Sequence, residues 1–235
     1  MTFSWKRVNA IFVKDYKDFS RNYAVSTIIF LPPIMAAFYG RMGNISIEAH
    51  YLVFNMAFTM VAAFVQCCLI AEEKEKNTLR GLMLSPASTL EILGGKSLLS
   101  ILLTIFVILL SAFFSDYRPE PVGIISIAMM LSILFYIALG TLLGLYARSV
   151  MEASLIIMPV MIVFSFGTFL TSLTERYPVL KIIDYLPNVQ LLELAKQMES
   201  GGGMADIFSN LAIIAAWLIV TSICTVIVFR KRMVD

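Results

Sequence analysis

Residues 51–86 read YLVFNMAFTMVAAFVQCCLIAEEKEKNTLRGLMLSP. From Tyr51 to Ala71 no side chain is ionised at neutral pH, and a helix that crosses a bilayer needs about 20 such residues. At Glu72 the character changes: Glu72, Glu73, Lys74, Glu75 and Lys76 follow one another, dense in charge and mixed in sign. Apolar residues then return at Leu79, Leu82 and Met83, a spacing that puts them on one helix face, and Ser85-Pro86 stops that helix. A span leaving the membrane into a structured polar loop is the pattern this implies.

The same signature recurs on both sides of it. Residues 22–40, 97–115, 121–147, 153–174 and 207–229 join 51–71 as runs without a charged side chain. The predicted fold is therefore an all-α integral membrane protein with six transmembrane helices. Composition agrees: of 235 residues 59% are hydrophobic and only 14% charged, more apolar surface than a soluble domain requires. Mean hydropathy is +0.85. Pro32-Pro33 should kink the first span, and 121–147 is long enough to tilt. A net charge of +2 offers no basis for nucleic-acid binding. Cys67, Cys68 and Cys224 all fall in apolar runs with no Cys/His cluster, so they read as packing residues and no metal site is expected. His50, at the edge of a run, reads as interfacial.

Basic residues set the expected orientation. Lys6, Arg7, Lys14, Lys17, Arg21, Lys74, Lys76, Arg80, Lys96, Arg148, Arg230, Lys231 and Arg232 fall on one side of this layout. Only Arg41, Arg118, Arg176, Lys181 and Lys196 fall on the other. The positive-inside rule then puts both termini in the cytoplasm. Phe3, Val8, Ile11, Phe12, Tyr16 and Phe19 recur at helical spacing, so 3–20 is predicted as an amphipathic helix on the inner leaflet. A signal peptide cleaved after Ala37 is the competing reading. The long amphipathic stretch ahead of the apolar run argues against it.

The connections are uneven. Spans four and five are joined by a tight hairpin, Arg148 to Glu152, whereas spans two and three are separated by Glu72 to Lys96. In that loop Ser88 and Glu91 have the spacing of a capping box that starts the next helix. Pattern alone leaves two readings of the loop open: a lever against a soluble partner, or a solvated charged segment. The longest connection on the other side, 175–206, contains Leu186-Pro187-Asn188 and then Val189, Leu191, Leu192, Ala195 and Met198 at helical spacing. Asn188 is expected to cap that helix and Gly201-Gly202-Gly203 to end it.

Enzymatic readings fail. There is no HExxH and no GxSxG. Gly94-Gly95-Lys96-Ser97 ends like a phosphate-binding loop, but Leu90 stands where that loop needs glycine. The spans as drawn contain no ionisable residue for a proton or sodium ion, so energy is expected from outside the membrane. The milder polar groups are Asn55, Thr59 and Gln66 in span two and Ser165, Thr168 and Ser172 in span five. They are candidates for a substrate path, with helix packing the equal alternative. Gly140 and Gly144 read as close packing.

Three blocks carry a resemblance: Glu73-Lys74-Glu75-Lys76-Asn77-Thr78-Leu79, then Leu82-Met83-Leu84-Ser85-Pro86, then Glu91 through Gly95-Lys96. Together they resemble the loop of ABC-2 type transporter permeases, whose layout is also that of type V exporters. Asn77 departs from the family's usual glycine, and Asn is among the residues that best tolerate the left-handed conformation. The resemblance implies that 72–90 is a coupling helix docked in a groove of an ATP-binding subunit. Glu72, Glu73, Glu75, Thr78, Leu79, Arg80, Leu82 and Met83 would be its contacts. It implies a re-entrant helix within 175–206, and spans two and five along the path at a dimer interface. ATP and Mg would sit on the partner ATPase, with no cofactor on this chain and no catalytic residue. The other partners implied are membrane lipid and a second copy or a paralogous permease, in a bacterial cell membrane. The expected activity is export of a hydrophobic or amphipathic cargo: a peptide of the phenol-soluble-modulin or bacteriocin kind, a drug or a lipid. A sodium-extruding member, or a non-transporting anchor or sensor that binds an ATPase, are the alternatives.

Overall fold

In hydrocarbon every backbone N–H and C=O must find its partner inside the protein, so an isolated apolar run can only become a helix. The computed structural model describes residues 4–43, 45–78, 81, 85, 87–174 and 178–232, and no strand occurs among them. The first helix, α1 (Trp5–Arg21), precedes six helices long and apolar enough to span a membrane. They are α2 (Tyr23–Met42), α3 (Ile47–Glu75), α4 (Thr89–Phe114), α5 (Val122–Tyr146), α6 (Val150–Thr174) and, last in the chain, α8 (Met204–Arg232). Between α6 and α8 lie a 3-10 segment, Pro178–Tyr185, and the short helix α7 (Pro187–Ser200).

α3 is the axis of the bundle. In its most apolar stretch 94% of residues are buried, against 17–39% for the other five spans. Small residues let the neighbours close on it. A Cβ at Gly140 of α5 would lie 2.3 Å from the Ala63 carbonyl oxygen, and one at Gly144 would lie 2.7 Å from that of Cys67. α3 is also irregular: Phe58–Ala63 forms a π-helical turn. In α2 the break precedes the prolines. Pro32 and Pro33 have no N–H to return to residues 28 and 29, and Thr27–Phe30 tightens into a 3-10 turn just before Leu31–Met42 resumes the α-helix.

α4 starts at Thr89, where the Ser88/Glu91 capping box forms as its spacing predicts, and the helix runs on without a break through Gly94-Gly95-Lys96 into the span. α1 does not only face lipid. Val8, Ile11, Asp15 and Phe19 are buried, while Trp5 and Tyr16 are exposed. Gly95 permits the approach of α1 to α4, since a Cβ there would stand 3.0 Å from the Ile11 Cβ. One end of the molecule is closed by Ile11, Ile70, Ile92, Leu145 and Phe229, which gather α1, α3, α4, α5 and α8. That end also holds Ser4, which bonds to Glu91, and the last turn of α8. At the other end His50 meets Ser115 at 3.1 Å and the Tyr51 and Tyr117 hydroxyls meet at 2.9 Å.

Candidate functional site

The charged segment leaves the bundle as the last turns of α3. Asn77 then takes φ +55°, the left-handed turn that an asparagine accepts. Glu72 and Lys76 pair at 2.6 Å, and Lys76 reaches Asp18 of α1 at 3.4 Å. Glu73 turns inward and is 2% exposed. Its carboxylate receives Lys96 at 2.9 Å, Lys14, and the Thr78 hydroxyl. Lys96, fully buried, also meets Asp15 at 3.2 Å. Burial raises Asp15 from 3.8 to about 6, against the opposing pull of Lys96. Asp15, Asp18 and Glu73 offer three close carboxylates, but Lys14, Lys76 and Lys96 answer them, so the group is an ion-pair network linking α1, α3 and α4.

The remaining charges fasten the α5–α6 hairpin. Lys74 Nζ donates to the Leu145 carbonyl at 2.6 Å and to that of Ala147, capping the negative end of α5. Glu75 accepts the Val150 N–H at 2.9 Å at the positive end of α6. Glu152 accepts the Arg148 N–H at 2.7 Å, and the Glu152 N–H donates to the Ser149 hydroxyl at 3.2 Å. At the loop's far end Glu91 accepts N–H bonds from Ser88 and from Ser4, each at 2.6 Å, and pairs with Arg7 at 3.4 Å. The capping box is thus also a clamp on the start of α1.

A second polar group runs up the interior. The Thr59 and Ser165 hydroxyls lie 2.7 Å apart, joining α3 to α6. Gln66 donates to Thr141 of α5 at 3.0 Å and accepts from Ser100 of α4 at 2.7 Å. Asn55 is fully buried, and neither amide atom has a hydrogen-bond partner among the described residues. Beside it the Thr59 hydroxyl donates back to the Asn55 carbonyl at 2.9 Å, within the π-helical turn.

The family described as ABC-2 family transporter protein matches residues 10–228, nearly the whole chain. The chain belongs to that family. It is a multi-pass membrane protein, the permease subunit of an ABC transporter, and its family works with an ABC ATPase. No curated protein sequence matches it significantly.

Within the permease the sequence-derived site residues fall into three groups. Leu79, Arg80, Leu82 and Met83 lie outside the described residues. Glu72, Glu75 and Thr78 are described, but each is engaged within the chain, with Lys76, Val150 and Glu73 respectively. Glu73 is buried between Lys14 and Lys96, where it supports the loop from within. Of the path candidates, Asn55, Thr59, Gln66 and Ser165 are buried within this chain, because α3 is enclosed by its neighbours. Thr168 is half-buried, and the side chain of Ser172 lies outside the described residues. Asp15 was missed as a member of the charged site. Its one signal was an acid on the apolar stripe of an amphipathic helix, four residues after Ile11 and four before Phe19.

α7 of the permease sinks into the bundle, with Val189, Leu191, Leu192, Leu194 and Ala195 buried. Asn188 does not cap it. Leu186 holds that position with Pro187 at the first turn, and the Asn188 amide donates to the Phe164 carbonyl of α6 at 3.0 Å. Gly201 ends the helix at φ +70°, as a left-handed C-terminal residue should.

Proposed function

We propose that this permease is the membrane half of an ATP-driven exporter of a hydrophobic or amphipathic molecule. Two copies, or this chain and a paralogue, pair with two ATPase subunits that hold ATP and Mg. Both termini and the 72–90 loop lie in the cytoplasm, where the basic residues concentrate. The observation that carries the reading is the anchoring of the charged loop. Through Glu73, Lys74, Glu75 and Glu91 it is tied to α1, α4 and the α5–α6 hairpin. A push on such a loop reaches several spans together instead of being absorbed by a slack connection. Among the described residues the buried charged side chains, Asp15, Glu73, Glu91 and Lys96, all lie at this end and are paired, which supports an energy source outside the membrane and an uncharged or amphipathic cargo.

Leu79, Leu82 and Met83 are the apolar anchors of the loop, and truncating a buried anchor costs about 2 kcal/mol or more. Leu79→Ala combined with Leu82→Ala should weaken ATPase binding more than about tenfold while the permease still inserts. Co-purification of the ATPase and ATP turnover in nanodiscs measure this. Wild-type affinity with full cargo-stimulated turnover in the double variant would remove the loop from the coupling role. The packed interior seam favours a second reading, an ATPase-binding membrane anchor or sensor with no path. Cargo-stimulated ATP hydrolysis in the reconstituted complex separates the two, since an anchor has none.

A further inference from the structure

Between α4, α5 and α8 the bundle leaves a crevice of about 510 Å³ open to its side. Its walls carry small residues, Ser97 of α4, Ala138 and Thr141 of α5 and Ser222 and Thr225 of α8. Such residues ordinarily let membrane helices touch. Here α8 packs on α5, and the crevice opens between that pair and α4. The Thr225 hydroxyl donates to the Ala138 carbonyl at 3.0 Å, pinning α8 on α5, and Thr141 is fixed by Ile137 and Gln66. With those hydroxyls engaged, the wall offers mainly methyl and methylene groups.

Along α8 the crevice runs from Leu218 to Val226, about 12 Å at 1.5 Å per residue. That is less than half of a hydrocarbon core of about 30 Å, so it lies at the depth of one leaflet and is too short for a full transmembrane helix of another subunit. Its lower end has a charge. Ile219, Ile223, Val226 and Arg230 are spaced four, three and four apart and fall on one line of α8, with Arg230 one turn beyond the crevice. Phe229 is buried in the cluster that Leu93 packs against, and Leu93 itself lines the crevice. By that register Arg230 stands just below the crevice, on the face that lines it. Arg230 and Lys231 are exposed, and no acidic side chain lines the crevice.

We propose that this crevice is a binding site for one anionic phospholipid, with an acyl chain in the slot and the phosphate against Arg230. The slot alone cannot discriminate, since bulk lipid is as apolar as its walls. Preference comes from the head, roughly fivefold for a basic residue near an anionic group. The site rests on the geometry of this chain and is independent of the coupling loop; only its assignment to the inner leaflet depends on the proposed orientation.

The test is native mass spectrometry of the purified full-length permease, exchanged into phosphatidylglycerol or phosphatidylcholine with identical chains. Wild type should retain one phosphatidylglycerol per chain, with roughly fivefold preference. Arg230→Gln should reduce that preference to near unity without changing thermal stability, and Lys231→Gln should leave it unchanged. Ala138→Leu, and Ala138→Phe where it folds, should abolish the single retained lipid while Arg230 and Lys231 remain. Equal retention of both lipids by wild type would overturn the proposal. So would unchanged retention of phosphatidylglycerol in Ala138→Leu, which would assign the lipid to the basic surface alone. A change of oligomeric state in place of lipid loss would assign the crevice to another subunit.

Discussion

Asp15 sits on the buried stripe of α1, and its folded form holds a proton more tightly than an unfolded chain would. Lys96, Lys14 and the Glu73 carboxylate are the charges that face it. The sign follows from its folded value of about 6 against 3.8. Its contribution to stability is fully present below 3.8 and is lost as pH rises through about 6. Asp15→Asn keeps the site neutral at every pH. Thermal unfolding in detergent should show the variant at least as stable as wild type at pH 7.5, with its advantage shrinking towards pH 5. A variant that is weaker at pH 7.5 and recovers at pH 5 would mean that the Asp15 carboxylate is a net stabilising partner of Lys96. Glu73 should behave in the opposite way. Removing it breaks a buried ion pair and leaves Lys96 with Asp15 as its remaining carboxylate, and breaking such a pair typically costs about 3–5 kcal/mol.

At the scale of elements, the contact between α3 and α5 depends on glycine. An added Cβ at Gly140 meets the backbone of Ala63, which cannot rotate away as a side chain can. Gly140→Ala should therefore destabilise the permease by about 1–3 kcal/mol through overpacking. Gly94 on α4 is the control, since no heavy atom lies within 4 Å of its virtual Cβ. Gly94→Ala should be neutral or stabilise by up to about 1 kcal/mol, because alanine loses less backbone entropy in a helix. Equal shifts of the two melting temperatures would sink the account. The glycine pair and the Ser88/Glu91 cap were both legible as patterns, because each is written in spacing along one helix. The role of Asn188 was not. Its local pattern is that of a cap, but Pro187 occupies the first turn and the Phe164 carbonyl lies 24 residues away in the chain.

At the scale of the whole molecule, α1 and the last turn of α8 come to one end, the end proposed to face the cytoplasm. Lys17→Cys and Lys231→Cys place exposed thiols at that end, in a background with Cys67, Cys68 and Cys224 replaced. Neither thiol should react with an impermeant reagent in intact cells, and both should react once the inner face is opened. Labelling of either one from outside would reverse the orientation. Much of this scale is one-dimensional information. Uncharged runs of membrane length must become helices, the density of basic residues orients them, and the family loop is contiguous; the sequence by itself therefore determined the membrane class, the six spans and the family. Only the tertiary structure decided which way the charges and polar groups face. Lys96 finds Asp15 across 81 residues and Glu73 across 23, and Thr59 finds Ser165 across 106. A charge can remain buried only where partners from distant elements converge on it, and no local pattern encodes that convergence.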